Sequence, residues 1–181
     1  MLCNPTDRLE PVTAHTLQEV CALYDAVLTA LENGPNGPGW KRGVYPTEAV
    51  TRAGLAEGSL YLLRDEATGR AAATVILNDD QPSAYAGASW TVDAPPERVM
   101  VVHTLMTHPG FMRLGFGRRT LAASHTLARE RGCLCVRLDT YAGNRPARAL
   151  YEEMGYRSAG LIDLGYGHYG LHWYQTYEFA I

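Results

Sequence analysis

The chain has 181 residues, of which 46% are hydrophobic and 19% are charged. This length predicts one domain over residues 1–181, and the composition is that of a globular protein with a substantial core. The 16 basic and 19 acidic residues give a formal charge of −3, whereas nucleic-acid binding needs an excess of positive charge. We therefore expect no nucleic-acid partner.

The sequence also lacks the patterns of export, membrane insertion and metal binding. No stretch reaches the roughly 18 consecutive apolar residues of a membrane span, and the N-terminus does not combine a basic start with an apolar run. We expect a cytoplasmic protein without a membrane partner. The four cysteines, Cys3, Cys21, Cys133 and Cys135, fit neither a disulfide framework nor zinc spacing. We interpret them as reduced thiols and expect no metal.

Hydrophobic periodicity and turn signals predict four helices and five strands. In chain order these are helix 14–32, helix 46–57, strands 59–64 and 71–78, strand 98–107, helix 116–131, strand 134–140, helix 146–154 and strand 173–181. The two strands before residue 79 flank a turn signal and predict an antiparallel hairpin. This order of strands and helices indicates an α/β fold.

Two further segments have distinct patterns. The nearly continuous apolar run over 98–107 is typical of a strand covered on both faces, which makes it the predicted central strand. Residues 79–96 mix turn formers with Tyr85 and Trp90, which indicates a long loop of the kind that often has a functional role.

The segment after the central strand points to an anion. Arg113, Arg118 and Arg119 lie at the start of helix 116–131, although a helix N-terminus favours negative charge by about 0.3–1 kcal/mol. An anion bound by both the arginines and the backbone amides would resolve this conflict, and Gly115 and Gly117 would let the backbone approach it. A flexible turn with solvated arginines is the alternative.

Two families of phosphate loop fit this segment poorly. The P-loop string G-x-x-x-x-G-K-[ST] is absent. A dinucleotide motif is closer, because Gly115 and Gly117 precede a helix and the next strand reaches Asp139, where an acid could hold a ribose. However, residues 108–114 separate the strand from the first glycine, and Thr120 replaces the third. The longer connection suits a pyrophosphate whose extended tail lies beside the strand, as in coenzyme A.

Two motifs resemble those of the GNAT superfamily of N-acetyltransferases. Residues 112–117, MRLGFG, resemble its acetyl-CoA motif [Q/R]-x-x-G-x-[G/A], with Met112 in place of the first polar residue. Residues 144–156, NRPARALYEEMGY, resemble its N-x-x-A-x-x-[LF]-Y-x-x-x-G-[FY] segment. The resemblance implies a GNAT-type acyl-CoA N-acyltransferase fold, with a mixed, mostly antiparallel central sheet flanked by helices. It also implies acetyl-CoA as co-substrate.

The resemblance implies two catalytic side chains. Tyr151 stands where many members have the acid that protonates the leaving thiolate, and an aromatic residue packed on the sheet is the alternative. The central strand has no carboxylate, but its His103 has an ordinary pKa of ~6.5 that suits a base near neutrality. The string VHTLMTH at 102–108 also resembles LHALAVH of arylalkylamine N-acetyltransferases. A buried structural histidine is the alternative for His103, and we expect His108 to be a loop residue.

The resemblance also implies which residues bind the cofactor. The strand end lies beside the pantetheine arm in such proteins, the amides of the glycine segment surround the pyrophosphate, and the asparagine of the second motif lies near the arm. These residues are Leu105, Met106 and Thr107, then Arg113, Leu114, Gly115, Phe116, Gly117 and Arg118, and finally Asn144. Asn144 also suits a helix start, two residues before Pro146.

The acceptor is less well defined by the sequence. Aromatic residues are frequent in the segments that form acceptor sites in proteins of this kind, and they could line an apolar or cation-binding pocket. They are Trp40, Tyr45, Tyr85, Trp90, Tyr166, Tyr169, Trp173 and Tyr174. We expect a small-molecule amine. A non-catalytic acyl-CoA-binding protein and an acetyltransferase of a protein amine are the alternatives, and a homodimer is left open.

Overall fold

The computed structural model describes residues 7–181, so Cys3 lies outside the described residues. The helices are α1 (Leu17–Glu32), α2 (Glu48–Ala56), α3 (Phe116–Glu130) and α4 (Arg145–Glu153). The strands are β1 (Glu10–Pro11), β2 (Leu60–Arg64), β3 (Ala71–Asn78), β4 (Val99–Thr107), β5 (Cys135–Tyr141), β6 (Arg157–Ile162) and β7 (Tyr174–Ala180). Short 3₁₀ turns include Ser83–Gly87 in the long loop and Pro109–Phe111 after β4.

The strands form a seven-stranded sheet in the order β1-β2-β3-β4-β5-β7-β6. The pairing of β4 with β5 is parallel, whereas β1–β2, β2–β3, β5–β7 and β6–β7 are antiparallel. This mixed, mostly antiparallel sheet flanked by helices confirms the predicted fold class. The parallel pairing runs from Val99 to Val102.

The described residues group into two compact units. The first comprises residues 7–36, Trp40–Leu77 and His103–Ser124. Its core joins one face of α1 to β2, β3 and the end of β4. The cluster contains Val12, Val20, Leu23, Tyr24, Val27, Leu60, Leu62, Ala71, Ile76 and Met106. The α1 members recur at helical spacing, and burying each large aliphatic side chain stabilises the fold by about 1.5–3 kcal/mol.

The second unit comprises Gly37–Gly39, Asn78–Val102 and His125–Ile181. An apolar cluster of Tyr85, Val99, Val101, Cys135 and Ile162 joins the long loop to the start of β4, to β5 and to β6. The loop therefore packs on a defined face of the strands of this unit.

A buried ion pair fixes the same loop. Arg137 on β5 donates to Glu178 on β7 at 3.1 Å, and to Val92 O in the loop at 2.9 Å. Glu178 in turn accepts hydrogen bonds from the Thr91 and Val92 amides at 2.8 and 3.0 Å. Although burial opposes it, these hydrogen bonds and Arg137 lower the pKa of Glu178. The charged pair is thus well satisfied, and it orders the segment that carries Tyr85.

The predicted helices and five predicted strands are confirmed to within three residues at each end. Two strands were missed. The first, β1, has only two residues, too few for any periodicity. The second, β6, lies at the sheet edge, is mostly exposed, and shifts register between Ser158 and Gly160, so its apolar residues do not alternate. Cys21, Cys133 and Cys135 are free thiols, as predicted.

Candidate active site

In the first unit, β4 contains an irregular residue directly after the proposed base. Thr104 has a left-handed φ of 51°, which is rare for a β-branched residue. Its Oγ1 lies 2.6 Å from the Tyr45 hydroxyl oxygen, so a hydrogen bond supports this conformation. His103 and Leu105 on either side are partly exposed, whereas Thr104 and Met106 are buried. His103 therefore keeps access to solvent within its unit.

The chain then leaves β4 through an arch, which we define as residues 108–118. The His108 amide donates to Ala72 O at 2.8 Å, and His108 Nδ1 accepts from the Gly110 amide at 3.0 Å. Burial, and then the charge of Arg70, lower the pKa of His108. His108 thus shapes the start of the arch, in agreement with a loop role.

Aromatic contacts support the base of the arch, and its tip is exposed. Phe111 and Phe116 are buried and meet edge to face, with ring centroids 5.3 Å apart. Between them, Met112 and Leu114 are 60% and 64% exposed. Arg113 and Gly115 are left-handed, with φ of 63° and 83°. Two such residues so close together turn the backbone sharply just before α3.

The start of α3 offers donors to an anion. The Arg119 amide makes a helical bond to Gly115 O at 3.0 Å, so the amides of Phe116 and Gly117 belong to the helix N-terminus, where backbone donors point outward along the axis. The first turn of α3 carries no acidic residue. A pyrophosphate fits this donor set, because amides and basic side chains bind phosphate oxygens.

One of the three arginines at this helix start must be removed from the anion ligands. Arg119 forms an ion pair with Asp7, with Nε 2.8 and 2.9 Å from the two carboxylate oxygens. The Asp7 side chain is 1% exposed, so this pair is well shielded from water. Arg113 and Arg118 are the other two arginines at this helix start.

In the second unit, α4 places Tyr151 against the sheet. Tyr151 is 7% exposed, and its ring centroid lies 5.8 Å from that of Tyr156 and 5.6 Å from that of Tyr177. Burial, and then the charges of Asp139 and Tyr177, raise the pKa of Tyr151 well above its ordinary value. Tyr151 is therefore both a packed aromatic residue and a hydroxyl that stays protonated.

Asp139 on β5 acts electrostatically on Tyr151, and the sequence motifs assign Asp139 no role in acetyl transfer. The Tyr85 hydroxyl donates to Asp139 Oδ2 at 2.8 Å. Burial raises the pKa of Asp139 from 3.8 to about 6, although the hydrogen bond from Tyr85 opposes that rise. No pattern in the sequence of β5 separates Asp139 from the other polar residues of that strand, and its partner Tyr85 lies 54 residues away in the chain.

Asn144 precedes α4, as predicted for a helix start, but its side chain does not cap the helix. Instead Nδ2 donates to Thr140 Oγ1 at 3.0 Å. The residue is buried, with 9% exposure. The first unit thus brings together His103, Leu105 to Thr107 and the arch, and the second brings together Asn144 and Tyr151.

Five of the eight predicted acceptor-pocket aromatics, all of them in the second unit, divide into two groups. Tyr85 is buried, and the Arg137 guanidinium carbon lies 4.4 Å from the centroid of the Trp90 ring. Both aromatic residues therefore pack within the second unit. Tyr166, Tyr169 and Trp173 are 42%, 39% and 53% exposed. The last three therefore expose part of their rings to solvent.

The sequence motifs and the fold agree with a known family. The model of the Acetyltransferase (GNAT) family matches residues 29–156, well over half of the chain. The chain belongs to the GNAT acetyltransferase family. An uncharacterised N-acetyltransferase of Bacillus subtilis, YhfO, is 36% identical over 75 residues, which are 41% of this chain and 48% of that protein. The chain thus matches about half the length of this GNAT relative.

Solved structures share the GNAT fold along the chain. A GNAT acetyltransferase of Streptococcus agalactiae has a TM-score of 0.78 at 15% identity, covering 98% of this chain and 96% of that one. A Bacillus anthracis protein named for streptothricin acetylation, solved with acetyl coenzyme A, has a TM-score of 0.52 at 15% identity, covering 67% and 61% of the two chains. Because both proteins are only 15% identical to this chain, the similarity shows a shared fold.

Two kinds of feature are absent from residues 7–181. No helix there is long and apolar enough to cross a membrane. Nor does that part of the chain contain a group of three or more His, Cys, Asp or Glu side chains placed to hold a metal ion.

Proposed function

We propose that this GNAT protein transfers an acetyl group from acetyl-CoA to a small-molecule amine, by direct attack within a ternary complex. The observation that carries the proposal is the arch with its left-handed Arg113 and Gly115, which leads into a helix without acidic residues in its first turn. Leu105 to Thr107 would lie beside the pantetheine arm, with Asn144 near it. The family match includes residues of both units, which supports one acetyltransferase domain over 1–181.

The reaction assigns a separate role to each of two side chains. A protonated amine must lose a proton before it can attack the thioester carbonyl, and His103 on β4 accepts it. The leaving thiolate takes a proton from the Tyr151 hydroxyl. The raised pKa of Tyr151 keeps this hydroxyl protonated until the thiolate forms. Backbone amides at the end of β4 would stabilise the developing oxyanion.

The exposed aromatics of the second unit support an apolar or cationic amine as acceptor. Tyr166, Tyr169 and Trp173 offer ring faces that attract an ammonium group or an apolar side chain. The likeness to arylalkylamine N-acetyltransferases at residues 102–108 points to the same class. A cytoplasmic location stays a prediction from the sequence patterns of export and membrane insertion.

A thiol-release assay tests this proposal. Purified protein is incubated with acetyl-CoA and a panel of arylalkylamines, polyamines and aminoglycosides, with lysine-bearing and free N-terminal peptides as a separate arm. We expect free CoA and the acetylated product to appear in equal amounts with a small amine. Turnover of peptides alone would replace the acceptor class, and acetyl-CoA binding without turnover of any amine would favour a regulatory protein.

A further inference from the structure

The hydrogen bond between Tyr45 and Thr104 lies next to the proposed base. Thr104 directly follows His103 in β4, and its φ of 51° is in the left-handed region, which is strained for a β-branched residue. The parallel pairing of β4 with β5 ends at Val102, so this ladder does not hold Thr104 in place. The conformation therefore needs support from another part of the first unit.

The Tyr45 side chain supplies such support. Its hydroxyl oxygen lies 2.6 Å from Thr104 Oγ1, which is a short hydrogen bond between two hydroxyl groups. Thr104 is buried and Tyr45 is half-buried, so water competes little for this bond. Because the two residues are 59 positions apart in the chain, the bond joins the loop between α1 and α2 to β4.

The backbone of Tyr45 is itself anchored. Lys41 and Tyr45 form an antiparallel bridge, in which the Lys41 amide donates at 3.1 Å and the Tyr45 amide at 3.0 Å. Between them, Arg42 Nε donates to Glu32 Oε1 on α1 at 3.0 Å. The Trp40 ring meets the Tyr45 ring edge to face, with centroids 6.1 Å apart, and packs against the α1 core cluster. The Tyr45 hydroxyl is therefore held out from a fixed stretch of backbone.

The conformation of Thr104 determines how its neighbours are oriented. Its φ and ψ set the angle between the two peptide groups that flank it, because each peptide group is planar. His103 and Leu105 are partly exposed, whereas Thr104 and Met106 are buried. A change of Thr104 to the ordinary β region would rotate the two peptide groups relative to each other. The His103 side chain and the Leu105 amide would then no longer keep their relative orientation.

We propose that Tyr45 is a positioning residue for acetyl transfer. By holding Thr104 in the left-handed conformation, its hydroxyl keeps the His103 imidazole and the backbone at the end of β4 in the orientation that the reaction uses. As one of the aromatic residues considered for the acceptor pocket, Tyr45 would instead touch the amine, and the two roles predict different kinetics. The inference rests on the proposed function and adds a residue that acts through Thr104.

Removal of either hydroxyl group should have the same consequence. Tyr45→Phe and Thr104→Val each delete one oxygen of the bond and nearly keep the shape of the side chain, so each should lower kcat about tenfold or more. The Kd for acetyl-CoA should change less than about threefold, because the arch has its own bond from the His108 amide to Ala72 O. The double variant should lie within about twofold of either single variant, since all three lack the same bond.

A matched control removes another hydroxyl group from the first unit. In Tyr61→Phe a buried tyrosine loses its bond to Gly58 O, which should leave kcat unchanged. An unchanged kcat in Tyr45→Phe, or losses that multiply in the double variant, would overturn the proposal.

Thr104→Gly separates positioning from direct contact with the acceptor. Glycine adopts positive φ without strain, so the Tyr45 hydroxyl is no longer needed to hold this conformation. In a Thr104→Gly background, Tyr45→Phe should therefore change kcat and the KM for the amine less than about twofold. An equal loss in both backgrounds, with a raised KM for the amine, would show that Tyr45 touches the acceptor and would overturn the proposal.

A measurement without any acceptor separates this inference from the proposed function. Backbone couplings measured by NMR report φ at Thr104, which should be positive in the wild type and in Tyr61→Phe. In Tyr45→Phe it should move toward negative values, and the His103 ring resonances should shift with it. A positive φ retained in Tyr45→Phe would overturn the inference even if amines are acetylated. The expected change in φ, without turnover of any amine by the wild type, would support the role of Tyr45 at Thr104 and contradict the proposed function alone.

Discussion

The arch after β4 and the buried cluster of Tyr151, Tyr156 and Tyr177 differ in the part of the chain that they expose to a ligand. The arch uses the backbone, and the cluster uses side chains. The arch presents backbone amides, and its tip side chains Met112 and Leu114 point into solvent with more than half their surface exposed. This cluster presents tyrosine hydroxyl groups, and the side chains that carry them are buried. Binding of a pyrophosphate needs only the backbone path, whereas proton transfer needs particular ionisable groups in a poorly solvated place.

Because the arch uses its backbone and the cluster uses its side chains, the two regions should tolerate different substitutions. In the arch, backbone conformation at a left-handed position should matter more than the identity of exposed side chains. In the cluster, loss of a single oxygen atom should matter even when the shape is kept. Substitutions that separate acetyl-CoA affinity from turnover therefore test the comparison.

The largest effect is expected at Tyr151. Tyr151→Phe keeps the ring that packs between Tyr156 and Tyr177 but removes the proton donor, so kcat should fall at least about 100-fold. The Kd for acetyl-CoA should stay within twofold of wild type. Steady-state kinetics and calorimetry measure the two quantities, and an unchanged kcat would exclude Tyr151 as the acid.

Two titratable groups of the second unit, His125 and Asp139, should make the free energy of unfolding depend on pH in opposite directions. Burial, and then Arg129, lower the pKa of His125 from 6.5 to about 4, and its Nε2 lies 2.8 Å from the Tyr156 hydroxyl. This residue contributes stability above pH 6.5 that is lost as pH falls through 4. For Asp139, with its pKa raised from 3.8 to about 6, stability is greatest below pH 3.8 and is lost as pH rises through 6.

The buried His125 should change the free energy of unfolding by about 3 kcal/mol over its range, and the partly exposed Asp139 should change it by less. Denaturant unfolding at several pH values should therefore find Asp139→Asn more stable than wild type at pH 8 but not at pH 3.5. His125→Gln should weaken the loss of stability between pH 6.5 and 4, and the exposed His15→Ala should not. Parallel pH curves for all three variants and wild type would contradict the assigned burial.

His103 should show a smaller but pH-dependent effect on turnover. His103→Ala should lower kcat about tenfold or more, most strongly above the pKa of the imidazole, where the wild-type ring is neutral and accepts a proton. The pH–rate profile should lose the corresponding limb. His15→Ala provides a control for removing an imidazole elsewhere, and a profile identical to wild type would leave His103 only a structural role.

In the arch, the expected effect is on affinity. Gly115 has a φ of 83°, and an added Cβ would meet nothing within 4 Å, so Gly115→Ala tests backbone strain rather than collision. Strain of about 1 kcal/mol should weaken acetyl-CoA binding about fivefold. Gly132→Ala, with a φ of 72° and equally open space after the other end of α3, is the matched control. Equal affinities for the two variants would contradict the role of the arch.

The smallest effect is expected at Met112, which stands where the family motif has Gln or Arg. Met112→Gln adds amide donors at an exposed position and should tighten acetyl-CoA binding two- to threefold, by about 0.5 kcal/mol. Leu114→Gln, two residues further on and equally exposed, should leave the Kd unchanged. Similar gains in both variants, measured by calorimetry, would show that the position itself has no special role.

The sequence predicted those features that depend on neighbours close in the chain. The helical spacing of Val20, Leu23 and Val27 located α1, and the glycine spacing at Gly115 and Gly117 located the arch. Features that join distant segments were not predictable. Asp7 and Arg119 lie 112 residues apart in the chain, and no local pattern links them. The same limit applies to Tyr85 and Asp139.

The central claim is that the arch binds acetyl-CoA for transfer to an amine. Calorimetric titration of the purified protein with acetyl-CoA, CoA and NAD tests it most directly. We predict binding of acetyl-CoA and CoA, weakened by Gly115→Ala but not by Gly132→Ala, and no binding of NAD. Failure to bind acetyl-CoA, or binding that Gly115→Ala leaves unchanged, would contradict the account.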